Sequence, residues 1–391
     1  MPVWLKRGGV FLAIVLVLAF AVHGVVPGIV EGGMNRVLQP PPYRATPQAQ
    51  ALHARLAVAD LHADPLLWGR DLLRRSNRGQ TDIPRLAEGG VALQVFAVVS
   101  KTPRGLNIER NDDRSDNILP LAIVQGWPPR TWGSLQQRAL YQARRLHGMA
   151  ARSQGRFAVV GTQGELRDFL ARRAQDRGLV AGVLAIEGAQ VLEGDPANVD
   201  ALFDAGFRMM SPTHFFDDEM AGSAHGVEKG GLTDKGREMI RRMEQRRMIV
   251  DLAHASPRTI DEVLAMATRP VVVSHGGVKG TCDNRRNLSD AQLRRIAANG
   301  GLVGIGYWET AVCGRDAQAV ARAIRHVVST VGLQYVALGS DFDGAVAVPF
   351  DATGLVLVTQ ALIEAGFGEP EIARIMGGNQ LEFLKTQLPM E

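Results

Sequence analysis

The sequence of 391 residues lacks several features that would assign it to a common class of protein. Lysine and arginine are scattered, and no basic stripe interleaved with aromatic residues is present. This argues against a nucleic-acid partner despite a formal net charge of +4. No internal repeat or low-complexity tract occurs, and the composition, 46% apolar and 21% charged, is ordinary for a globular protein.

The most apolar segment lies at the N-terminus, where Lys6 and Arg7 precede residues 8–30, a run without charged residues that is interrupted by His23. The run is about long enough to cross a bilayer, and positive residues on its N-terminal flank favour export of the chain that follows. We therefore predict a transmembrane helix that anchors the protein in a membrane, with the globular part outside the cytoplasm. A cleaved signal peptide, which would make the protein secreted, is the alternative.

The chain is predicted to have three parts: a membrane anchor or signal segment (1–31), a linker (32–45) and a globular domain (46–391). The linker is inferred from its Gly-Gly pair and its run of three prolines. Export makes the two cysteines, Cys282 and Cys313, candidates for one disulfide, with two buried free thiols as the alternative.

Within the globular domain, short segments rich in Val, Ile or Leu alternate with helix-like stretches. The predicted strands are one beginning near Leu56 and residues 91–99, 182–186, 208–211, 248–252, 270–274, 302–306 and 335–339. The clearest predicted helices are residues 46–55, 135–149, 163–174 and 316–331, with others beginning at Ser256, Ser289 and Glu369.

Eight strands that are almost continuously apolar indicate a buried parallel sheet, and eight is the number that closes a (β/α)8 TIM-type barrel. An open doubly wound sheet is the competing fold, but no Gly-rich dinucleotide fingerprint follows any predicted strand. Residues 101–132 are polar and contain several prolines, which predicts a long loop over one end of the barrel.

Residues that can bind metals or transfer protons follow six of the predicted strands. They are His62 and Asp64 at the first strand, Glu187, His214, His254 and His275 at the third to sixth, and Asp341 at the eighth. Active sites of such barrels form at the carboxyl ends of the strands, so these side chains are expected to converge there. The remaining histidines are predicted to lie elsewhere, in helices or, for His225, in a loop.

The residue types narrow the identity of the metal. Imidazoles and carboxylates without cysteine suit Zn²⁺ or divalent ions of similar preference. Five ligands exceed what one catalytic zinc takes from a protein, so two metals that share a bridging carboxylate fit the number better. Such a pair can bind one hydroxide between its ions and polarise a carbonyl.

The ordered motifs resemble those of the membrane (renal-type) dipeptidase family of metallopeptidases. They are H-x-D at His62, I-E-G at Glu187, D-L-A-H at His254, S-H-G at His275, C-D-N-R-R-N-L-S-D from Cys282 and G-S-D-F-D-G around Asp341, with T-D-I-P-R-L from Thr81. The resemblance runs from about Val58 to the C-terminus and does not cover residues 1–45. It implies a zinc enzyme that cleaves small dipeptides with a free carboxyl end.

The resemblance also implies a binuclear zinc site. His62, Asp64 and Glu187 would hold one Zn²⁺, while Glu187, His254 and His275 hold the other, so that Glu187 bridges the two ions.

Roles in catalysis and substrate binding follow from the same resemblance. Asp341 would take a proton from the attacking water and return it to the leaving amine, with Asp343 as the alternative. His214 would contact the scissile carbonyl oxygen. Arg286 would pair with the substrate carboxylate, with the adjacent Arg285 as the alternative.

The resemblance favours the Cys282–Cys313 disulfide, but the chain departs from the family at one substrate contact. A tyrosine expected after the seventh strand has no match, and counting places Ala311 there. This departure leaves open which substrate side chains the site prefers.

Two other functions are weighed. One is a different barrel metallohydrolase acting on N-acyl amino acids, lactones or cyclic amides, which H-x-D in place of H-x-H disfavours. The other is a non-catalytic ligand-binding barrel, which the presence of all metal ligands and Asp341 disfavours. The oligomeric state is left open between a monomer and a homodimer.

Overall fold

The fold is taken from a computed structural model that describes residues 23–391. One parallel sheet of nine strands organises these residues. The strands are β1 (Val58–Ala63), β2 (Val91–Val99), β3 (Phe157–Val159), β4 (Val180–Glu187), β5 (Phe207–Met210), β6 (Ile249–Val250), β7 (Val272–Val273), β8 (Leu302–Ile305) and β9 (Val336–Leu338).

Eight of these strands form a ring in the order β6-β5-β4-β2-β1-β9-β8-β7. The two ends meet through a parallel bridge between Asp251 and Val272, where the Leu252 amide donates to the Val272 carbonyl at 2.7 Å. This arrangement confirms the predicted eight-stranded α/β barrel. The short strand β3 pairs with β4 outside the ring and was not predicted.

Helices cover the outside of the ring and connect successive strands. They are α1 (residues 23–34), α2 (Pro47–His53), α3 (Ile83–Glu88), α4 (Ile118–Val124), α5 (Leu135–Arg152), α6 (Gln163–Arg173), α7 (Asn198–Asp204), α8 (Asp234–Gln245), α9 (Pro257–Met266), α10 (Asp290–Ala298), α11 (Glu309–Val312), α12 (Ala317–Val331), α13 (Val356–Glu364), α14 (Glu369–Ala373) and α15 (Asn379–Gln387). The predicted starts at Ser256 and Ser289 are confirmed, because each hydroxyl caps the backbone N–H three residues later.

Both faces of the strands are buried, which explains their continuous apolar sequence. In β2, Leu93, Val95 and Ala97 belong to one buried apolar cluster, whereas Phe96 and Val98 belong to another. Successive side chains of a strand point to opposite faces, so a strand packed on both sides carries no polar alternation.

The predicted membrane anchor falls mostly on residues 1–22, which lie outside the described residues. Among residues 23–391, no helix is both long enough and apolar enough to cross a membrane. The end of the predicted anchor forms part of α1. The segment predicted as a linker contacts the barrel, because Val37 pairs with Val348 and the Leu38 amide donates to the Val348 carbonyl at 2.9 Å.

Cys282 and Cys313 form a disulfide with Cα atoms 5.2 Å apart. It joins the segment after β7 to the residue that ends α11, 31 positions later. The bond therefore connects two neighbouring loops at the carboxyl-terminal side of the barrel.

The backbones of neighbouring strands approach each other closely at a glycine of β8, and substitution of that glycine tests this packing. A Cβ atom added at Gly304 would lie 2.1 Å from the backbone oxygen of Ser274, next to β7. We expect Gly304→Ala to lower the free energy of unfolding by about 1–3 kcal/mol, because backbone must shift to relieve the overlap. Thermal unfolding followed by circular dichroism measures the change.

Gly148→Ala is the control, because no atom lies within 4 Å of an added Cβ at this exposed position of α5. That change should raise the free energy of unfolding by about 0.5–1 kcal/mol, since alanine favours a helix over glycine. Equal melting temperatures for the two variants would contradict the expected overlap.

Candidate metal centre

The carboxyl ends of the ring strands bring the predicted site residues together in one cluster. The cluster consists of His62, Asp64, Glu187, His214, His254, His275 and Asp341, and every member is buried. The predicted convergence of these side chains is therefore present in the structure.

Asp60 fixes the relation between His62 and Asp341. Its Oδ1 accepts hydrogen bonds from the backbone N–H of His62 and from the hydroxyl of Ser340, each at 3.0 Å. Its Oδ2 accepts from the Ser340 amide at 2.9 Å, and the Asp341 amide donates to the His62 carbonyl at 3.1 Å. One buried carboxylate therefore joins the end of β1 to the turn that follows β9.

Asp251 does the same on the opposite side of the ring. Its Oδ1 accepts from the Ala253 amide at 3.0 Å and from the Ser274 amide at 2.8 Å. These bonds hold the end of β6, which leads into His254, beside the end of β7, which leads into His275. Asp251 thus supports the backbone that carries two of the clustered histidines.

Glu187, the last residue of β4, lies at the centre of the cluster. Its Oε1 is 3.2 Å from Nε2 of His254 and 3.4 Å from Nε2 of both His62 and His275. Its Oε2 is 3.0 Å from Nε2 of His214. A single carboxylate therefore faces four imidazoles from four different strand ends.

The other contacts divide the cluster into two sides. On one side, Nε2 of His62 lies 3.1 Å from Oδ2 of Asp64 and 3.9 Å from Oδ1 of Asp341. On the other side, the Nε2 atoms of His254 and His275 lie 3.1 Å apart. Glu187 contacts both sides, and the rings of His62 and His275 also contact each other across them, with centroids 3.8 Å apart.

The electrostatics of the cluster favour a positive charge at its centre. Burial alone would raise the pKa of Glu187, but His214 and His62 outweigh it and hold that pKa well below the usual value. Burial opposes protonation of His62, yet Asp64 and Glu187 raise its pKa to about 10. Burial lowers the pKa of His254 well below the usual value, so its imidazole is neutral, whereas His62 has to release a proton before it can bind a metal ion.

The residues present fit a bound divalent cation. Among the described residues, Oδ1 of Asp64, Oε1 of Glu187 and Nδ1 of His254 are buried without a hydrogen-bond partner. Buried polar atoms are rarely left unpaired, and a cation would satisfy the carboxylate oxygens. The donor set of imidazole nitrogen and carboxylate oxygen suits Zn²⁺ and similar ions.

A cavity of about 540 Å³ opens above the cluster. Arg286 lines it and donates to the His275 carbonyl at 3.3 Å, whereas Arg285 points outward and pairs with Glu109 at the surface. Of the two predicted arginines, Arg286 is thus the one that a substrate in the cavity can reach.

The two acids of the D-F-D motif also differ in position. Asp341 lines the cavity, whereas Asp343 is fully buried and accepts hydrogen bonds from Arg70 and from the Gln80 amide. Asp343 therefore has structural partners, while Asp341 is free to act on a substrate. Burial raises the pKa of Asp341 well above its usual value, and Asp64 adds to that effect.

Two residues that line the cavity were not predicted from the sequence to do so. His225 is buried, with Nδ1 2.8 Å from the Ile108 carbonyl and, among the described residues, no hydrogen-bond partner for Nε2. Burial lowers its pKa to about 3. Trp308, rather than the fully buried Ala311, provides the aromatic side chain after β8, and Arg286 lies over its ring at 5.9 Å.

Neither residue carried a signal in the sequence. His225 lies in an irregular loop without periodicity. Trp308 stands three positions from the place where a family tyrosine was expected.

Comparisons with known proteins agree with the geometry of the site. A family model for membrane dipeptidases, peptidase family M19, matches residues 46–388. An uncharacterized dipeptidase of Schizosaccharomyces pombe is 29% identical over 322 residues, which is 79% of this chain and 73% of that protein. The dipeptidase aclJ of Aspergillus oryzae is 27% identical over 360 residues, covering 87% and 80% of the two chains.

Solved structures show the same fold. The dipeptidase AC, a metallopeptidase of family M19, superposes with a TM-score of 0.69 at 25% identity and covers 85% of this chain and 99% of its own. A metallopeptidase of Rhodobacter sphaeroides gives a TM-score of 0.68 at 24% identity with the same coverage. Similarity to this family of metallopeptidases therefore agrees with the fold, with the sequence and with the cluster of side chains that could bind a metal ion.

The central position of Glu187 predicts a large effect on metal binding. Glu187→Gln keeps the shape of the side chain but removes the negative charge that faces four imidazoles. We expect the affinity for divalent cations to fall by at least about 100-fold. Loss of a residue that only hydrogen-bonds to a metal ligand already lowers the affinity by about 10–100-fold, and loss of a ligand should cost at least as much. Competition with a chromogenic chelator measures the affinity.

Glu382→Gln is the matched control, because Glu382 is exposed on α15 and pairs with Lys385 at the surface. It should bind metal as the unaltered protein does. Equal affinities for the Glu187 and Glu382 variants would exclude Glu187 from the metal centre.

Proposed function

The chain belongs to the membrane dipeptidase family of metallopeptidases, and from that premise we propose that it hydrolyses dipeptides with a free carboxyl terminus, using two zinc ions. The observation that carries the proposal is the position of Glu187. Its Oε1 lies within 3.4 Å of Nε2 of His62, from one proposed ligand set, and of His254 and His275, from the other, so this carboxylate is within reach of both sets.

Five residues are proposed to hold the metal ions. His62, Asp64 and Glu187 would bind one, and Glu187, His254 and His275 would bind the other. When bound, such a pair lowers the pKa of water and polarises a carbonyl group.

Asp341 is proposed to move the proton. Its Oδ1 is 3.9 Å from Nε2 of His62 and it lines the cavity, so it can reach both a water molecule near the metals and the leaving nitrogen. It would accept the proton of the attacking water and deliver it to the departing amine, so that the carboxylate is regenerated in each cycle.

His214 and Arg286 are proposed to orient the substrate. His214 borders both the metal cluster and the cavity, where its ring could donate to the carbonyl oxygen as negative charge develops. Arg286 offers a planar pair of donors that matches a carboxylate. A dipeptide held between them would have its peptide bond beside Asp341.

We also propose that the catalytic domain works outside the cytoplasm and is attached to a membrane by the N-terminal segment. The Cys282–Cys313 disulfide supports the location, since such bonds persist in oxidising compartments.

Hydrolysis of a dipeptide panel tests the proposed activity. The full chain supplied with zinc should release both amino acids from dipeptides, and a chelator should abolish the release. N-acetylated amino acids, a lactone and a cyclic amide serve as comparison substrates. Hydrolysis of one of these but of no dipeptide would replace the proposed function with that of another metallohydrolase.

Asp341→Asn tests the proton transfer separately from metal binding. We expect two equivalents of zinc to remain bound while kcat falls by about 10²–10⁴-fold, because the amide cannot accept a proton. Elemental analysis and steady-state kinetics measure the two quantities. Asp204→Asn, a change at an exposed surface acid, is the control and should leave both unaltered. An unchanged kcat in Asp341→Asn would remove this residue from the mechanism.

A further inference from the structure

The walls of the active-site cavity are chemically unequal. One side carries Arg286, which follows β7, and His275. The other side is apolar and is formed by Leu67 and Trp68 after β1, Val99 at the end of β2, and Ile118, Leu121 and Val124 of α4. In the ring, β2 lies opposite β7, so the charged and apolar sides face each other across the metal cluster.

Helix α1 completes the apolar side. Val26, Val30 and Met34 line the cavity, and their spacing of four residues places them on one face of the helix. They precede residues 46–388, the range that matches the family model. These residues are 39%, 37% and 42% exposed, so, within the part of the chain that the structure describes, this apolar face is open to the cavity.

Buried polar contacts fix α1 in place. Glu31, on the same helix, is 2% exposed and pairs with Arg70, which also pairs with the fully buried Asp343. The Asn35 side chain accepts a hydrogen bond from the Ala345 amide at 2.8 Å. The helix is therefore a fixed wall of the site, attached to the turn that carries Asp341.

We propose that this apolar side receives a large apolar side chain from the amino-terminal residue of the dipeptide, and that α1 helps to set this preference. The inference rests on the proposed function. A dipeptide whose carboxylate pairs with Arg286 extends its amino-terminal residue across the metals, away from β7 and toward α1, α4 and Trp68.

The size of the cavity supports the same substrate class. A volume of about 540 Å³ lies in the range of sites that enclose ligands much larger than a dialanine. A small side chain would leave the apolar walls in contact with water, whereas leucine or phenylalanine would cover them. Removing that apolar surface from water favours binding of the larger substrate.

Two substrate series test which residue the cavity recognises. The full chain with zinc bound is assayed on Xaa–Ala and Ala–Xaa dipeptides, with Gly, Ala, Leu and Phe as Xaa. We expect kcat/KM for Leu–Ala and Phe–Ala to exceed that for Ala–Ala by about 10-fold or more, as apolar pockets discriminate. The Ala–Xaa series should vary much less.

A pair of matched variants tests the contribution of α1. Val26→Ser/Val30→Ser alters the cavity face, and the ratio of kcat/KM for Leu–Ala over Ala–Ala should fall about 10-fold. Val25→Ser/Ile29→Ser makes the same kind of change on a face that does not line the cavity, where the side chains are 55% and 68% exposed. That control should retain the ratio of the unaltered protein.

The outcomes separate the two proposals. Three results would overturn the apolar subsite and leave the dipeptidase function intact. They are equal kcat/KM for Ala–Ala and Leu–Ala, a preference confined to the Ala–Xaa series, and equal Leu–Ala to Ala–Ala ratios in the two variants. Failure to hydrolyse any dipeptide with two zinc ions bound would overturn the function and the subsite with it. Zinc content and circular dichroism of each variant show that it is folded.

Discussion

The arrangement of the barrel mouth depends on one buried carboxylate. Glu187 is 4% exposed, and burial of an ionised group is costly unless opposite charge or hydrogen-bond donors surround it. Four imidazoles within 3.0–3.4 Å of its oxygens supply that surrounding. Because they come from the ends of β1, β5, β6 and β7, the ring must close before the charge is compensated. Full compensation of the Glu187 charge therefore depends on closure of the ring.

Strain at the ends of the strands is the cost of this convergence. His254 and Asp341 both adopt a left-handed backbone, with φ of 64° and 62°, which is unfavourable for residues other than glycine. In each case a buried aspartate holds the neighbouring backbone, Asp251 beside His254 and Asp60 beside Asp341. Each of these two positions therefore has its own structural carboxylate, which offsets the strain by hydrogen bonding to backbone amides.

Sequence reasoning predicted the ring and the residues that converge in it, because apolar strands buried on both faces have a simple pattern and end in polar residues. It did not predict the short β3, and it placed His225 in a loop without predicting that this loop lines the cavity, because three residues at the edge of the ring and an irregular loop have no periodicity. It also interpreted residues 24–30 as part of a membrane span. Hydropathy shows that Val26 and Val30 are apolar, but it does not show what they face. A helix that contacts lipid and a helix that lines an apolar cavity can have the same composition.

The ion pairs of Arg70 connect the N-terminal helix α1 to the turn that follows β9. Arg70 is buried between Glu31, in the N-terminal helix, and Asp343, two residues beyond Asp341. A chain trimmed at residue 46, where similarity to the family begins, would keep every strand and every metal ligand but leave Arg70 without one of its carboxylates. Loss of one partner from a buried pair costs about 3–5 kcal/mol, and here the cost would fall on the turn that carries Asp341 and Asp343. The range that matches the family model therefore leaves out a helix whose carboxylate pairs with a buried arginine of the barrel.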